Sequence, residues 1–304
     1  MTGQNIEVPP QDFRCGYVTI IGRPNVGKST LLNRLLKQKL SITSRKPQTT
    51  RWHLLGIKTD NHHQVIYVDT PGIQTKYKNA LNRRMSREAL DALAQVDVVV
   101  FVLEALKWTD TDQYIFDLIK DRKLPTIILI NKIDKIKNKE ALLPFIRELS
   151  GKLDEKENII PVSAKTGVNL EAFEKKVELF LPVNSPLFPS DQISDRNERF
   201  FVSEFIREKL FKKLGDELPY NLAVTIDNFK EVENLVSIHA IIWVGSASQK
   251  AIVIGKDGKL LKSIGEEARK DIENFLGKKV FLKTWVKVKK QWTENENALK
   301  QLGY

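Results

Sequence analysis

GRPNVGKS, Gly22 to Ser29, has the spacing G-x-x-x-x-G-K-S, in which two glycines let a loop bend until successive backbone N–H groups converge on one anion. Lys28 then supplies positive charge to phosphate oxygens, and the Ser29 hydroxyl supplies a magnesium ligand. The apolar run CGYVTII precedes the loop and the amphipathic STLLNRLLKQ follows it. A chance glycine-rich turn would lack that frame. DTPG, Asp69 to Gly72, follows a second apolar run, HQVIYV. Asp69 is expected to reach the metal through a water, with the Gly72 N–H facing a terminal phosphate. Alone, the same four residues read equally well as a proline turn. Ile73 stands where some hydrolases of this kind keep a water-positioning glutamine, and Gln74 comes one residue late.

NKID, Asn131 to Asp134, ends the apolar run TIILI. A carboxylate at Asp134 accepts from both the ring N–H and the exocyclic amino group of guanine, whereas adenine presents an acceptor where that ring donor should be. Lys132 lays its stem along the ring, and Ser163 and Ala164 of VSAKTG close the far side. Four motifs in this order point to GTP and GDP rather than ATP.

The elements that must position these residues are legible in outline. Five apolar, β-branched runs, GYVTIIG, HQVIYVDT, VDVVVFVLEA, LPTIILINK and NIIPVSA, alternate with amphipathic stretches such as RRMSREALDALAQ and LLPFIRELSGKL. Continuously apolar strands separated by helices imply a parallel α/β sheet covered on both faces. It should occupy residues 13–182 after a flexible stretch at 1–12. LPVNSPLFPSDQ, with Pro182, Pro186 and Pro189, reads as a stiffened extended connector over 183–195. Beyond it, over 196–304, come a helix near Arg199 to Leu214, two strands without a helix between them, two helices flanking IGKDG, and a last strand in VFLKTWVKVKK. That order implies a separate α+β unit.

The 304 residues carry a formal charge of +11, unevenly spread. No acidic residue lies between Phe13 and Thr59, and a second basic stretch runs from Lys250 to Lys290. One nucleotide cannot occupy both, so a polyanionic partner is expected. The N-terminus lacks a signal-peptide pattern and no apolar run is long enough for a membrane span, which points to the cytoplasm. The single cysteine, Cys15, sits in an apolar run and is expected to be a buried hydrophobe. His62 and His63 in the polar TDNHH have no cysteine nearby and read as turn residues rather than metal ligands.

Gly255 and Gly258 of IGKDG form a G-x-x-G between two helices, which either is an ordinary turn or lets a nucleic-acid backbone approach where no Cβ stands in the way. Lys256 and Asp257 between them, with Lys250, Lys259 and Lys262 on the flanks, favour the RNA reading. Lys283, Lys287, Lys289 and Lys290 extend the same expected path, and Trp285 and Trp292 either stack on bases or pack in the core.

GRPNVGKST, DTPG, NKID and VSA together resemble the translation-factor-like GTPases, and ITSRKPQTTR with the C-terminal IGKDG unit narrows the resemblance to the Era family of bacterial ribosome-assembly GTPases. The resemblance covers nearly the whole chain. It implies a P-loop GTPase domain with a mostly parallel sheet, followed by an α+β type II KH domain. It implies that Gly22, Arg23, Pro24, Asn25, Val26, Gly27, Lys28, Ser29 and Thr30 wrap the nucleotide phosphates with Asp69, Thr70, Pro71 and Gly72. Asn131, Lys132, Asp134, Ser163 and Ala164 then form the base pocket, and Ser29, Asp69 and Thr50 hold Mg2+. Thr49 competes with Thr50 for that last role. Lys28, Thr50, Gly72 and Asn25 carry hydrolysis, Asn25 by helping to hold a K+ ion where other enzymes place an arginine finger. Gln74 is the rival for orienting the water. The implied partners are the 3′ end of 16S rRNA and the 30S subunit, for a monomer that is cytoplasmic with peripheral association at the inner membrane. One other reading stays open, a nucleotide-gated RNA scaffold whose turnover is idle; a tRNA-modification or iron-transport GTPase fits the first domain equally well but lacks the KH unit, so the second domain decides against it.

Overall fold

The computed structural model describes residues 10–44, 46, 49–73, 80–152, 158–215 and 217–302. Gln74 and most of the N-terminal stretch lie outside the described residues. The first sheet is built from β1 (Arg14–Ile21), β2 (Leu54–Thr59), β3 (His63–Asp69), β4 (Val98–Glu104), β5 (Thr126–Asn131) and β6 (Ile159–Pro161). These six strands lie in the order β2-β3-β1-β4-β5-β6. All neighbours are parallel except β2, which runs antiparallel to β3. LLGIKT, the β2 segment, is a strand with no unbroken apolar run to announce it.

Alternate residues of the continuously apolar strands bury on opposite faces. On β4, Val98, Val100 and Val102 pack with Leu31 and Leu32 of α1 (Lys28–Leu35) and with Phe173 and Val177 of α5 (Leu170–Phe180). Val99, Phe101 and Leu103 pack instead with Ala89 of α2 (Ala80–Asp91), Ile115 and Ile119 of α3 (Asp110–Lys120) and Leu149 of α4 (Leu142–Lys152). Burial on both faces is why no polar alternation marks these strands. Since all but β2 run the same way, β1, β3, β4 and β5 end along one edge of the sheet. That edge is where a parallel sheet binds ligands.

The connector is no loose tether. Val183 bridges Arg14, Ser194 bridges Gly56, and Gln64 of β3 donates to the Phe188 carbonyl while accepting from the Leu187 and Phe188 N–H groups. The second unit follows as α6 (Glu198–Lys213), β7 (Leu222–Val232), β8 (Leu235–Val244), α7 (Ala247–Ile254), α8 (Lys259–Leu276), β9 (Lys279–Val288) and α9 (Glu296–Gln301). Its sheet has the order β7-β8-β9, with β7 antiparallel and β9 parallel to β8. One face takes α6, α7 and α8: Val236, Ile238, Ala240 and Ile242 pack with Phe205, Val253, Ile264, Ala268 and Ile272. Trp292 is buried in a small core with Leu81, Met85, Leu299 and Leu302, so packing, not base stacking, is its role. The helix α9 completes this core in a stretch where no helix is expected from the sequence.

Candidate functional site

The phosphate loop leaves β1 at Gly22 and enters α1 at Lys28. A Cβ on Gly22 would stand 2.5 Å from the Val102 carbonyl oxygen, and one on Gly27 would stand 2.3 Å from Asn131 Nδ2. Both glycines also have positive φ, as does Asn25 at 66°. Only a side-chain-free backbone fits at these two positions. Arg23 points away from the cavity, its Nε donating to Asp112 Oδ2 at 3.1 Å. Asp112, fully buried, also closes the capping box of α3 with Thr109. Arg23 thus pins the loop to a helix.

Lys28 is buried, and its Nζ donates to the carbonyls of Gly22 at 2.9 Å and Arg23 at 3.1 Å. Burial lowers its pKa to about 8, against the pull of Asp69. Ser29 Oγ lies 2.8 Å from Thr50 Oγ1 and donates to Asp69 Oδ2 at 3.1 Å, while Ser41 Oγ donates to the same oxygen at 2.8 Å. Burial pushes the Asp69 carboxyl up, and Lys28 and these hydroxyls hold it back. Asp69 Oδ1 is buried without a hydrogen-bond partner.

Two hydroxyls and a buried carboxylate with one unused oxygen form a hard-oxygen donor set that fits Mg2+. When bound there with GTP, the ion neutralises charge on the β and γ phosphates. Thr49 turns elsewhere: its Oγ1 donates to the Lys46 carbonyl, and its own carbonyl accepts from Arg207. Of the two candidate threonines, Thr50 is the one beside Ser29.

Gly72 lies against Pro24, and a Cβ on it would come within 2.8 Å of the Pro24 nitrogen. Thr70 Oγ1 donates to the Ile20 carbonyl and fixes the turn after β3. Ile73 is 1% exposed in the core with Ile21, Phe101 and Leu103. Its side chain therefore points away from the phosphates, where no side-chain amide would be of use. Pro24, Asn25, Gly27, Thr30, Thr50 and Gly72 are among the residues lining a cavity of about 420 Å³.

Asn131 has a part that the motif alone did not reveal. Its Nδ2 donates to the Val26 carbonyl at 2.7 Å and its Oδ1 accepts from the Ala164 N–H at 2.9 Å, both buried. One amide thereby stitches the phosphate loop to VSA. Asp134 Oδ1 accepts from Ser163 Oγ at 2.6 Å, which aims the carboxylate. Lys132 takes a left-handed φ of 69° and its Nζ donates to Glu104 Oε2 at 2.6 Å. Burial alone would raise Glu104, but bonds from Lys107 and Lys132 outweigh it and bring its pKa to about 2. Glu104 ends β4 directly opposite Asn131 in the β4–β5 register. It was absent from the residues expected from the sequence, because a carboxylate in VFVLEA carries no motif.

In the second unit, Gly255 and Gly258 have φ of 72° and 71°. A Cβ on Gly255 would collide with Leu260 Cβ at 2.6 Å, whereas one on Gly258 would meet nothing within 4 Å. The first glycine serves packing and the second leaves an open approach. Lys250, Lys256, Asp257, Lys259 and Lys262 are all exposed around the loop. Ile252 of α7 is 55% exposed among them, an apolar surface that the lysine pattern did not announce. Lys283 and Lys287 are not on this path. They lie on the sheet face turned away from α7 and α8, because β9 alternates.

Comparison with known proteins agrees with this geometry. Residues 17–132 match the family described as 50S ribosome-binding GTPase, and residues 217–293 match the KH domain family. GTPase Era of Coxiella burnetii (strain Dugway 5J108-111) is 52% identical over 290 residues, covering 95% of this chain and 98% of that protein. The crystal structure of a point variant of Aquifex aeolicus Era bound to GDP.AlF4- superposes with a TM-score of 0.93 at 40% identity, over 96% of this chain and 99% of that one. A crystal structure of Era in complex with MgGDPNP and nucleotides 1506-1542 of 16S ribosomal RNA gives 0.92 at 40% identity, with the same coverage. A phosphate loop, a guanine pocket and a KH unit in one chain, matched end to end by these relatives, place the protein in the Era family of GTPases.

Proposed function

We propose that this chain hydrolyses GTP while binding the 3′ end region of 16S rRNA, and that it acts in assembly of the small (30S) ribosomal subunit. The observation that carries the reading is the likeness, over 96% of the chain, to the Era complex with MgGDPNP and that RNA segment. The description of the match at residues 17–132 names the large subunit, but it concerns the first domain alone. Crosslinking RNA to the full-length protein in cells and sequencing it tests the proposal. Enrichment of the 16S 3′ end is expected, and enrichment of another RNA would overturn it.

The proposed division is a GTPase domain over 13–182, a connector over 183–195 and a KH domain over 196–304. The roles assigned to Gly22 through Thr30, Asp69 through Gly72, Asn131, Lys132, Asp134, Ser163 and Ala164 are nucleotide binding. Ser29, Thr50 and Asp69 hold Mg2+, and Lys250, Gly255, Lys256, Asp257, Gly258, Lys259 and Lys262 meet the RNA. Lys28, Gly72 and Thr50 surround the transferred phosphate. Asn25, in a left-handed turn on the cavity wall, helps to hold K+ there. Burial of Ile73 supports charge, not a side-chain amide from that position, as the aid to hydrolysis. Turnover should therefore be faster in potassium than in sodium, and should fall when Asn25 is replaced by alanine. Equal rates in the two salts would return the question to Gln74.

We also take the protein to be a cytoplasmic monomer with peripheral attachment to the inner membrane. No helix among the described residues is long and apolar enough to cross a membrane, and the charge of +11 suits an anionic lipid surface. Flotation with anionic vesicles tests the attachment, and sedimentation tests the monomer. The rival reading, an RNA scaffold with idle turnover, predicts that RNA leaves the GTPase rate unchanged.

A further inference from the structure

The helices α6, α7 and α8 cover one face of the second unit's sheet, while α2 and α9 cover only the Ala223–Trp243 end of the other; β9 is an edge strand with its alternate residues on that second face. That outward face carries Lys279, Phe281, Lys283, Trp285 and Lys287 in succession along β9. The register sets Lys230 of β7 and Ser237 of β8 in one row with Phe281. Phe281 is 53% exposed and Trp285 is half-buried, with the Lys283 ammonium 5.0 Å from its ring centroid and His239 edge-on at 5.1 Å. At the far end, Val232 and Leu235 are 64% and 47% exposed. None of the paired outward positions on the three strands is acidic.

Apolar side chains on a sheet face ordinarily face a core. Here they alternate with lysines, which would not tolerate burial against another core. A second copy of this chain would set lysine against lysine, a repulsive arrangement. A polyanion with flat apolar faces satisfies both features at once. Aromatic rings take bases of any sequence, and flanking ammonium groups take the phosphates. Phe281 and Trp285 are four residues apart on one strand, about 13 Å, so they would hold different nucleotides.

We propose that this outward face is a second RNA site, which binds a single-stranded segment with bases stacked on Phe281 and Trp285 and phosphates on Lys230, Lys279, Lys283 and Lys287. It lies on the face of the sheet opposite the one that α7 and α8 pack against. A base entering over Trp285 takes the place of the Lys283 ammonium, which moves to the adjoining phosphate. The site extends the proposed RNA reading to a new surface, and its test is built to separate the two.

The experiment uses the full chain, an oligouridine carrying thiouridine as photocrosslinker, and peptide mapping by mass spectrometry. In a Lys256→Asp, Lys259→Asp protein, whose G-x-x-G approach is repelled, crosslinks to Phe281 or Trp285 should persist. Phe281→Ala in that background should weaken the remaining binding about tenfold, Phe281→Tyr should restore it and Phe281→Leu should not. Lys283→Glu with Lys287→Glu should flatten the salt dependence of that binding by about 1.4 in log–log slope. A thermal unfolding transition and a circular-dichroism spectrum like those of the parent certify the fold of each variant. Crosslinks confined to Ile252–Lys262, or binding indifferent to Phe281 and the lysines, would overturn the second site while leaving the first standing. Loss of small-subunit binding in the lysine variants with oligouridine binding unchanged would also overturn it, by assigning the face to a protein. Loss of all crosslinks in the Lys256→Asp, Lys259→Asp protein would overturn it too, since the first site would then account for all of the binding.

Discussion

Asn131 satisfies the Val26 carbonyl and the Ala164 N–H with one buried amide, so its loss leaves two buried backbone groups without partners. Each such group costs about 1–3 kcal/mol. Asn131→Ala should lower unfolding free energy by roughly 2–4 kcal/mol in a denaturant titration and speed GDP release, because the loop and the base pocket lose their tie. A stability equal to that of the parent would mean that water replaces both bonds. Asp134→Asn acts differently, since an amide replaces an acceptor-only group and matches xanthine better than guanine. Preference should move from GTP to XTP in a competition titration, and unchanged GTP affinity would remove Asp134 from the pocket. The motifs named these residues because few spacings serve phosphate and guanine chemistry. They were silent about Glu104 and Asp112, which act on Lys132 and Arg23 from other strands and helices, and whose nearness exists only once the chain has folded.

At the scale of elements, the loop between α7 and α8 repeats the logic of the phosphate loop with a different ligand. Lys256→Asp with Lys259→Asp keeps both glycines and the turn but sets negative charge against an approaching backbone. GTP binding should survive, RNA affinity should fall, and the log–log salt slope should flatten by about 0.7 for each phosphate no longer neutralised. RNA affinity unaffected by the pair would make Gly255–Gly258 an ordinary turn. Strands buried on both faces announced themselves as unbroken apolar runs, and α7 and α8 were expected from their place on either side of IGKDG. The missed elements are those whose burial comes from elsewhere. The strand β2 is short, lies at the sheet edge and is only partly buried, so LLGIKT has neither a clean run nor a clean alternation. The helix α9 spans Glu296–Gln301, too short to show a period, and rests on Leu81 and Met85 of a distant helix. The same limit applies to β9, whose lysines looked like one path with Lys250 and Lys256 until the pleat put them on opposite sides.

Across the whole molecule, the described residues between Thr43 and Arg51 join the nucleotide cavity to the second unit. Thr50 Oγ1 stands beside Ser29, while the neighbouring Thr49 carbonyl accepts from buried Arg207 of α6 at 2.6 Å. Arg51 donates to the carbonyls of Leu222 at 2.7 Å and of Pro219 and Tyr220 at 3.0 Å. Lys46 reaches the Leu214 and Gly215 carbonyls at the end of α6. A γ-phosphate that repositions Thr50 must therefore strain or relax contacts to the RNA-binding unit. GTP and RNA should then bind with a coupling of roughly 1–3 kcal/mol, and each should strengthen the other by the same factor. Lys46→Met is the informative variant, because it removes the bonds to these two carbonyls while keeping a side chain of similar length. It should reduce the coupling by about 1 kcal/mol, a factor of about five, with little change in stability. The ion cluster of Lys39 with Glu208 and Asp271 fixes the pH range of the effect. Burial opposes ionisation of all three, but their mutual bonds prevail, lowering both carboxyls and raising Lys39. Depressed carboxyl pKa values leave their contribution complete above the ordinary carboxylate range and remove it only as pH falls through the depressed values. The raised lysine keeps its own below the ordinary lysine range, losing it as pH rises through the raised value. The coupling factor should consequently be flat between about pH 6 and 7, below the range in which Lys28, with its pKa lowered to about 8, begins to titrate. RNA affinities measured with GDP and with a non-hydrolysable GTP analogue, at one salt concentration and several pH values, check both expectations. Equal affinities would reduce the Thr43–Arg51 contacts to a static brace, and a coupling that varies across that range would assign it to groups other than this cluster.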